Sequence, residues 1–231
     1  MPMNIIDVVW RTVFVLAMPL FLLAAAFRIP ANSAYFYEYL FAKYEVGATT
    51  GLDEAALGAT AQGLVGYFNS SREYIDLTVI RNGQPFVLFN EREVVHLKDV
   101  RDLFQFDLRV LLVTAALVLS YACFCVVKAR GARLARSALI GAGLTLVLIA
   151  AMGIGMLLDF DALLLRFHLF SFANDFWQLD PTRDYLIMLV THGFMYDGAF
   201  IVAGATAIGA LMIGGAASIY LLAMKRRTVK S

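Results

Sequence analysis

The chain has 231 residues, of which 61% are hydrophobic and only 16% charged, with a net charge of +1 and a mean hydropathy of +0.73. A soluble domain carries about a quarter of its residues as charges. The composition therefore excludes an ordinary soluble domain and describes a membrane protein.

The first apolar run, Thr12 to Phe27, is short for a span, but Val8, Val9 and Trp10 extend it past Arg11. The Arg11 charge can reach the interface or pair with Asp7 at i, i+4. The run carries Pro19, where a kink is expected. It is followed by FRIPANSAYFYEY rather than by a small-residue cleavage site, so it reads as an uncleaved first helix, not a signal peptide.

The segment that follows is too long for a simple connector and has the pattern of a folded cap. YFYEYLFAKY predicts an interfacial aromatic helix, and LDEAALGATAQGLVGYF an amphipathic one with Leu57, Leu64 and Phe68 at near-helical spacing. In DLTVIRNGQPFVLF, two β-rich runs flank Asn82-Gly83, the signature of a tight hairpin. NEREVVHLKDVRDLF predicts a helix capped by Asn90, with Glu93 reaching back in a capping box.

Three charge-free runs follow, Val110 to Val127, Ser137 to Leu158 and Gly198 to Met224, each near or above the roughly 20 residues that cross a bilayer. Cys123 and Cys125 lie two apart in one such helix, point in different directions, and read as apolar fillers. Gly141, Gly143, Gly153 and Gly155, and then Gly204, Gly209, Gly214 and Gly215, suit close helix contact in lipid. Between the last two spans, LLDFDALLLRFHLFSF is apolar enough to lie on the membrane surface. After it, Asp180-Pro181 predicts the start of a helix running on toward the fourth span.

Lys128, Arg130, Arg133 and Arg136 in one loop, and Lys225, Arg226, Arg227 and Lys230 in the tail, face the cytoplasm by the positive-inside bias. Both termini are then cytoplasmic, and the two outer segments hold 17 of the 18 acidic residues and all three histidines. The expected fold is a mainly α membrane protein. It is one integral membrane domain over residues 1–231, with four transmembrane helices and a small extracytoplasmic α+β cap, containing a β-hairpin, over residues 29–108. A second outer segment spans 159–197.

His96 and His168 come from different outer segments, and both lie close to a predicted membrane boundary. Glu93 and Asp99 sit three residues to either side of His96, and Asn174, Trp177 and Asp180 follow His168. A histidine beside a carboxylate can hold one tautomer and exchange protons near neutral pH. Two histidines with acids also raise a metal-dependent hydrolase. However, no HExxH, no His pair at i, i+4 and no CxxC is present, so no metal ligand is assigned. GxSxG and glycine-rich phosphate loops are absent too. His192 has no assigned role.

Together, EREVVHLKDVRDL and RFHLFSFANDFWQLDPTRDYLI resemble the lipoprotein intramolecular transacylases, enzymes that make lyso-form lipoproteins in some bacteria. The family pattern approximates E-x-x-H-x-x-D-V and F-H-x-x-x-F-x-N-x-x-W-x-L-D-P. It is matched here by Glu93 (or Glu91), His96, Asp99 and Val100, and by Phe167, His168, Phe172, Asn174, Trp177, Leu179, Asp180 and Pro181. The family tends to continue with a proline-containing stretch, where this chain has MLVTHGFMYD.

The resemblance implies a membrane acyltransferase that moves the sn-2 acyl chain of a diacylglyceryl-cysteine lipoprotein to its own N-terminal α-amine. His96 and His168 would be the catalytic acid/base pair, with Glu93, Asp99, Asn174, Trp177 and Asp180 supporting the site. No cofactor and no nucleic acid are implied, and the partners are the diacylated lipoprotein and membrane lipid. The implied place is the bacterial cytoplasmic membrane, with the site on its outer side. The reading of another class is a non-enzymatic membrane partner or assembly protein that uses its outer cap for protein contacts.

Overall fold

The computed structural model describes the backbone of residues 5–230, with side chains to Arg226. The termini expected in the cytoplasm, residues 1–4 and 231, lie outside the described residues, as do the side chains of Arg227 and Lys230. Among the described residues, four helices are long and apolar enough to cross a membrane: α1 (Ile5–Ala31), α5 (Glu91–Val127), α6 (Gly131–Leu158) and α9 (His192–Lys230). Between them lie α2 (Ala34–Lys43), α3 (Val46–Thr50), α4 (Glu54–Phe68), β1 (Thr78–Arg81), β2 (Gln84–Val87), α7 (Phe160–Ser171) and α8 (Tyr185–Leu189). The expected class, a mainly helical membrane protein with one small hairpin, is what the chain forms.

By internal contacts the chain forms two compact units. The first gathers the apolar stretches ending at Phe27, spanning Leu108–Leu157, and starting at Ile201. Its core packs Phe14, Met18 and Leu22 of α1 against Tyr121 and Cys125 of α5, Ala135, Ala138 and Ala142 of α6, and Ala210 and Ala217 of α9. Small residues let these backbones approach: a Cβ on Gly141 would lie 3.0 Å from the Met18 Cβ, and one on Gly214 3.3 Å from the Ala142 Cβ. By contrast Gly143, Gly153, Gly155, Gly204 and Gly215 meet open space, so the glycine-packing expectation holds for only part of its set. Asp7 accepts from Arg130 at 2.9 Å and Arg133 at 2.7 Å, which ties the start of α1 to the basic α5–α6 turn. Cys123 is exposed, Cys125 is buried, and both are free thiols.

The second unit, Arg28–Asp107 with Leu158–Phe200, holds the polar segments. Asn82 and Gly83 adopt φ of 52° and 75°, the left-handed pair that a two-residue hairpin turn needs, and β1 pairs antiparallel with β2 from Thr78↔Val87 to Arg81↔Gln84. Asp53 caps α4 through the Ala56 amide at 2.8 Å. The capping box at α5 forms as expected: the Glu93 Oε2 accepts the Asn90 amide at 2.8 Å, and the Asn90 Oδ1 accepts the Glu93 amide at 3.2 Å.

The helix expected to start at Asp180-Pro181 does not form there. Residues 181–183 are a turn, α8 is only five residues long, and α9 begins anew at His192. The cause is competing side-chain capping. Asp180 accepts the Thr182 amide and hydroxyl at 2.9 and 2.7 Å, Asp184 accepts the Asp180 amide at 2.7 Å, and Thr191 accepts the Phe194 amide at 3.2 Å as a fresh N-cap. The new helix is held in its second turn, where Asp197 accepts from Tyr44 at 2.8 Å and from Lys43. A Cβ on Gly193 would enter the Tyr44 ring, so that contact needs glycine.

Glu93 is 1% exposed, and its second oxygen accepts the Leu186 amide at 2.6 Å. Replacing it by alanine strands the buried Leu186 amide and the part-buried Asn90 amide, at about 1–3 kcal/mol for a buried donor and less for a part-buried one. Glu93→Ala is expected to lower stability by about 2–5 kcal/mol, read as a drop in the thermal unfolding midpoint of the purified protein.

Candidate active site

The first twenty or so residues of α5 carry its charges and the last eighteen are its apolar run, so a 37-residue helix of about 55 Å exceeds the roughly 30 Å hydrocarbon core at its charged end. His96 lies in that charged, non-spanning part. Arg92, His96 and Asp99 follow at i, i+4 and i+7, which places them within about 60° of one another on one helical face. That face meets α7 and the loop after it.

The structure brings the two expected histidines together. The His96 and His168 ring centroids are 6.3 Å apart with an interplanar angle of 30°. Phe172 packs edge-on to His96 at 4.9 Å and against His168 at 5.5 Å, and Trp177 lies on His168 at 5.0 Å. His168 Nδ1 sits 2.8 Å from the Leu164 carbonyl one helical turn back. A carbonyl only accepts, so Nδ1 carries the proton and Nε2 is the nitrogen left to exchange one.

His96 is 7% exposed, and its Nδ1 is buried with no partner among the described residues. Burial, then repulsion from His168, pushes its pKa down to about 4, against a smaller opposing pull from Asp99. It is neutral at neutral pH.

The supporting residues divide. Asn174 donates to the Asp99 carboxylate at 2.7 Å and accepts the Phe176 amide at 3.0 Å, so it ties the loop to α5. Trp177 is against His168. Glu93 and Asp180 are instead occupied by other donors: the Asn90 and Leu186 amides take both Glu93 oxygens, and the Thr182 hydroxyl and amide hold the Asp180 carboxyl below its usual range. His192 instead places its Nε2 2.7 Å from the Asp161 carboxylate and packs against the Phe160 ring.

Two residues were not singled out from sequence. Asp184, 1% exposed, accepts from Asn90 at 2.9 Å and from the Asp180 amide. Arg92 donates to the Asp175 carbonyl and lies over the Phe176 ring. The spacing of Arg92 from His96 was a usable signal; nothing local marked Asp184. Among the described residues, no group of three or more His, Cys, Asp or Glu is placed to hold a metal ion.

Comparison with known proteins identifies the family. A family model described as lipoprotein intramolecular transacylase Lit matches residues 12–195, a range that contains both histidines and every supporting residue. The chain belongs to this family. It is thus a membrane-integral acyltransferase of a lipoprotein-processing family.

The fold is shared with the membrane integral lipoprotein intramolecular transacylase Lit from Bacillus cereus, at a TM-score of 0.81 and 17% identity over 96% of this chain and 98% of that one. Two structures of that protein carrying a histidine-to-arginine or a histidine-to-alanine substitution match at a TM-score of 0.77 and 16% identity. They cover 96% of this chain, and 95% and 96% of theirs. A search of the curated proteins gave no significant match.

The depressed pKa of His96 has a consequence for stability. Unfolded, the imidazole takes a proton near 6.5; folded, it does so only near 4. Between those values the unfolded state binds more protons, so stability present above about pH 6.5 is lost as pH falls toward 4. The unfolding midpoint should fall across that window, and His96→Phe should flatten the fall.

Proposed function

We propose that the protein moves the sn-2 acyl chain of a diacylglyceryl-cysteine lipoprotein to the α-amine of the same cysteine, with His96 and His168 as the acid/base pair. The α-ammonium titrates near about 8 and must lose a proton before it can attack. The amine nitrogen then adds to the ester carbonyl, the carbonyl–oxygen bond to glycerol breaks, and the glyceryl oxygen takes a proton. One ester becomes one amide, and no second substrate is consumed.

The observation that carries this reading is the convergence of the two rings at 6.3 Å from separate segments. It lies well inside the separation of about 10 Å beyond which two histidines could not share one reacting centre. In our assignment His168 is the base, because its Nδ1–H is committed to the Leu164 carbonyl and its Nε2 is free to accept. His96, held neutral by burial, donates a hydrogen bond to the oxyanion that forms. Asp99 and Asn174 hold the loop that carries Trp177, and Trp177 shapes the wall of the site.

The basic α5–α6 turn and the basic tail support cytoplasmic termini and an extracytoplasmic cap over residues 29–108. The site would then lie on the outer side of a bacterial cytoplasmic membrane, with lipid and diacylated lipoprotein as partners.

His96→Ala and His168→Ala should each lower formation of lyso-form lipoprotein by about 10²–10⁴-fold in a host lacking its own activity, read by mass spectrometry of the N-terminal lipopeptide. Full conversion in both variants would remove the mechanism. Chelators should leave the wild-type rate unchanged; a metal-dependent hydrolase would lose it and release free fatty acid.

A further inference from the structure

The loop over residues 173–178 touches the reacting histidines through Trp177, yet most of it is exposed, so its position depends on a few contacts. Two of these come from α5. One is the Asn174–Asp99 bond at 2.7 Å. The other is Arg92, seven residues before Asp99 and so about 20° away around the helix, with His96 between them along the axis.

The Arg92 guanidinium donates through Nη2 to the Asp175 carbonyl and lies 5.6 Å from the centroid of the Phe176 ring. Its Nε is shielded, with no hydrogen-bond partner among the described residues. The carbonyl and the ring face therefore set where the group lies. A planar fork serves both contacts at once, which a lysine ammonium does not.

We propose that Arg92 is a positioning residue of the reaction: by clamping Asp175 and Phe176 to the α5 face that carries His96, it holds Trp177 on the His168 ring. The proposal rests on the histidine-pair reading of the site. The Leu164 carbonyl fixes one edge of the His168 imidazole, and that leaves rotation about this bond. Trp177 at 5.0 Å closes one side of the ring and Phe172 at 5.5 Å restricts another, so the aim of Nε2 depends on the loop staying down. Misplacement by about 1 Å is enough to cost a large part of a catalysed rate.

The chain has two tryptophans, Trp10 and Trp177, so a Trp10→Phe parent leaves Trp177 as the single indole reporter. Protonated imidazole quenches a nearby indole. The Trp177 emission of the parent should therefore fall on acidification, and His168→Phe should abolish that fall. In Arg92→Ala the quenching amplitude should shrink at least about threefold, and kcat on a diacylated lipopeptide should fall about tenfold, with KM within about twofold.

Arg92→Lys should recover less than half of either loss, because it lacks the planar fork. Phe176→Leu removes only the ring face and should shift both readouts in the same direction by a smaller factor, which keeps the test open if Arg92→Ala does not fold. Retention of the full quenching amplitude, or an unchanged kcat, in Arg92→Ala and Phe176→Leu alike would overturn the proposal. A parent that quenches normally but transfers no acyl chain would instead count against the proposed function, since the quenching reads the clamp without turnover.

Discussion

The buried carboxylate of Glu93 is the joint on which the polar half of the protein depends. One oxygen starts α5 by accepting the Asn90 amide, and the other accepts the Leu186 amide from a segment 93 residues further along the chain. Asp184 doubles the joint by accepting from the Asn90 side chain. A carboxylate shielded this fully is expensive unless its lone pairs are taken, and burial pushes the Glu93 pKa up despite the amides that pull it down. The arrangement fixes where α5 begins, and so which of its residues face α7 and the loop beyond. Because α5 continues as one helix to Val127, His96 is carried on a rigid element rather than on a loop.

From that register the chemistry of the site follows. One face of α5 presents Arg92, His96 and Asp99, and the loop after α7 answers with Asp175, Asn174 and Phe172. The two imidazoles end up in unlike surroundings: His96 is buried among aromatic rings and loses its charge, whereas His168 is anchored to a carbonyl and is partly open. Groups of one kind driven apart by environment are how acid and base roles separate in a single site. In the proposed reaction this asymmetry lets one histidine accept a proton while the other donates a hydrogen bond.

Much of this was legible in the residues. Apolar runs marked the four long helices, Asn82-Gly83 marked the hairpin, and Asn90 with Glu93 marked the start of α5, because each is a local signal whose physics acts within a few residues. The paired histidines were legible through the family resemblance of their two motifs; spacing alone showed only that each lies close to a predicted membrane boundary. The misread element was the helix after Pro181. Its sequence has the right start signature, but Asp180, Asp184 and Thr191 each cap a different short stretch, and Asp184 is drawn to Asn90 by a contact 94 residues away. Asp180 keeps its local capping role and does not reach the histidines through any hydrogen bond. Arg92 went unremarked because its partners are a carbonyl and a ring on the far segment.

The central claim is that an acyl chain moves within one lipoprotein molecule at the His96–His168 pair. The most direct measurement uses purified protein and a lipopeptide with an isotope-labelled sn-2 acyl chain, mixed with an unlabelled lipopeptide of different peptide mass, with tandem mass spectrometry to locate the label. The account predicts that the label appears on the α-amine of the peptide that first carried it on glycerol. Label on the other peptide, or released as free fatty acid, would contradict it.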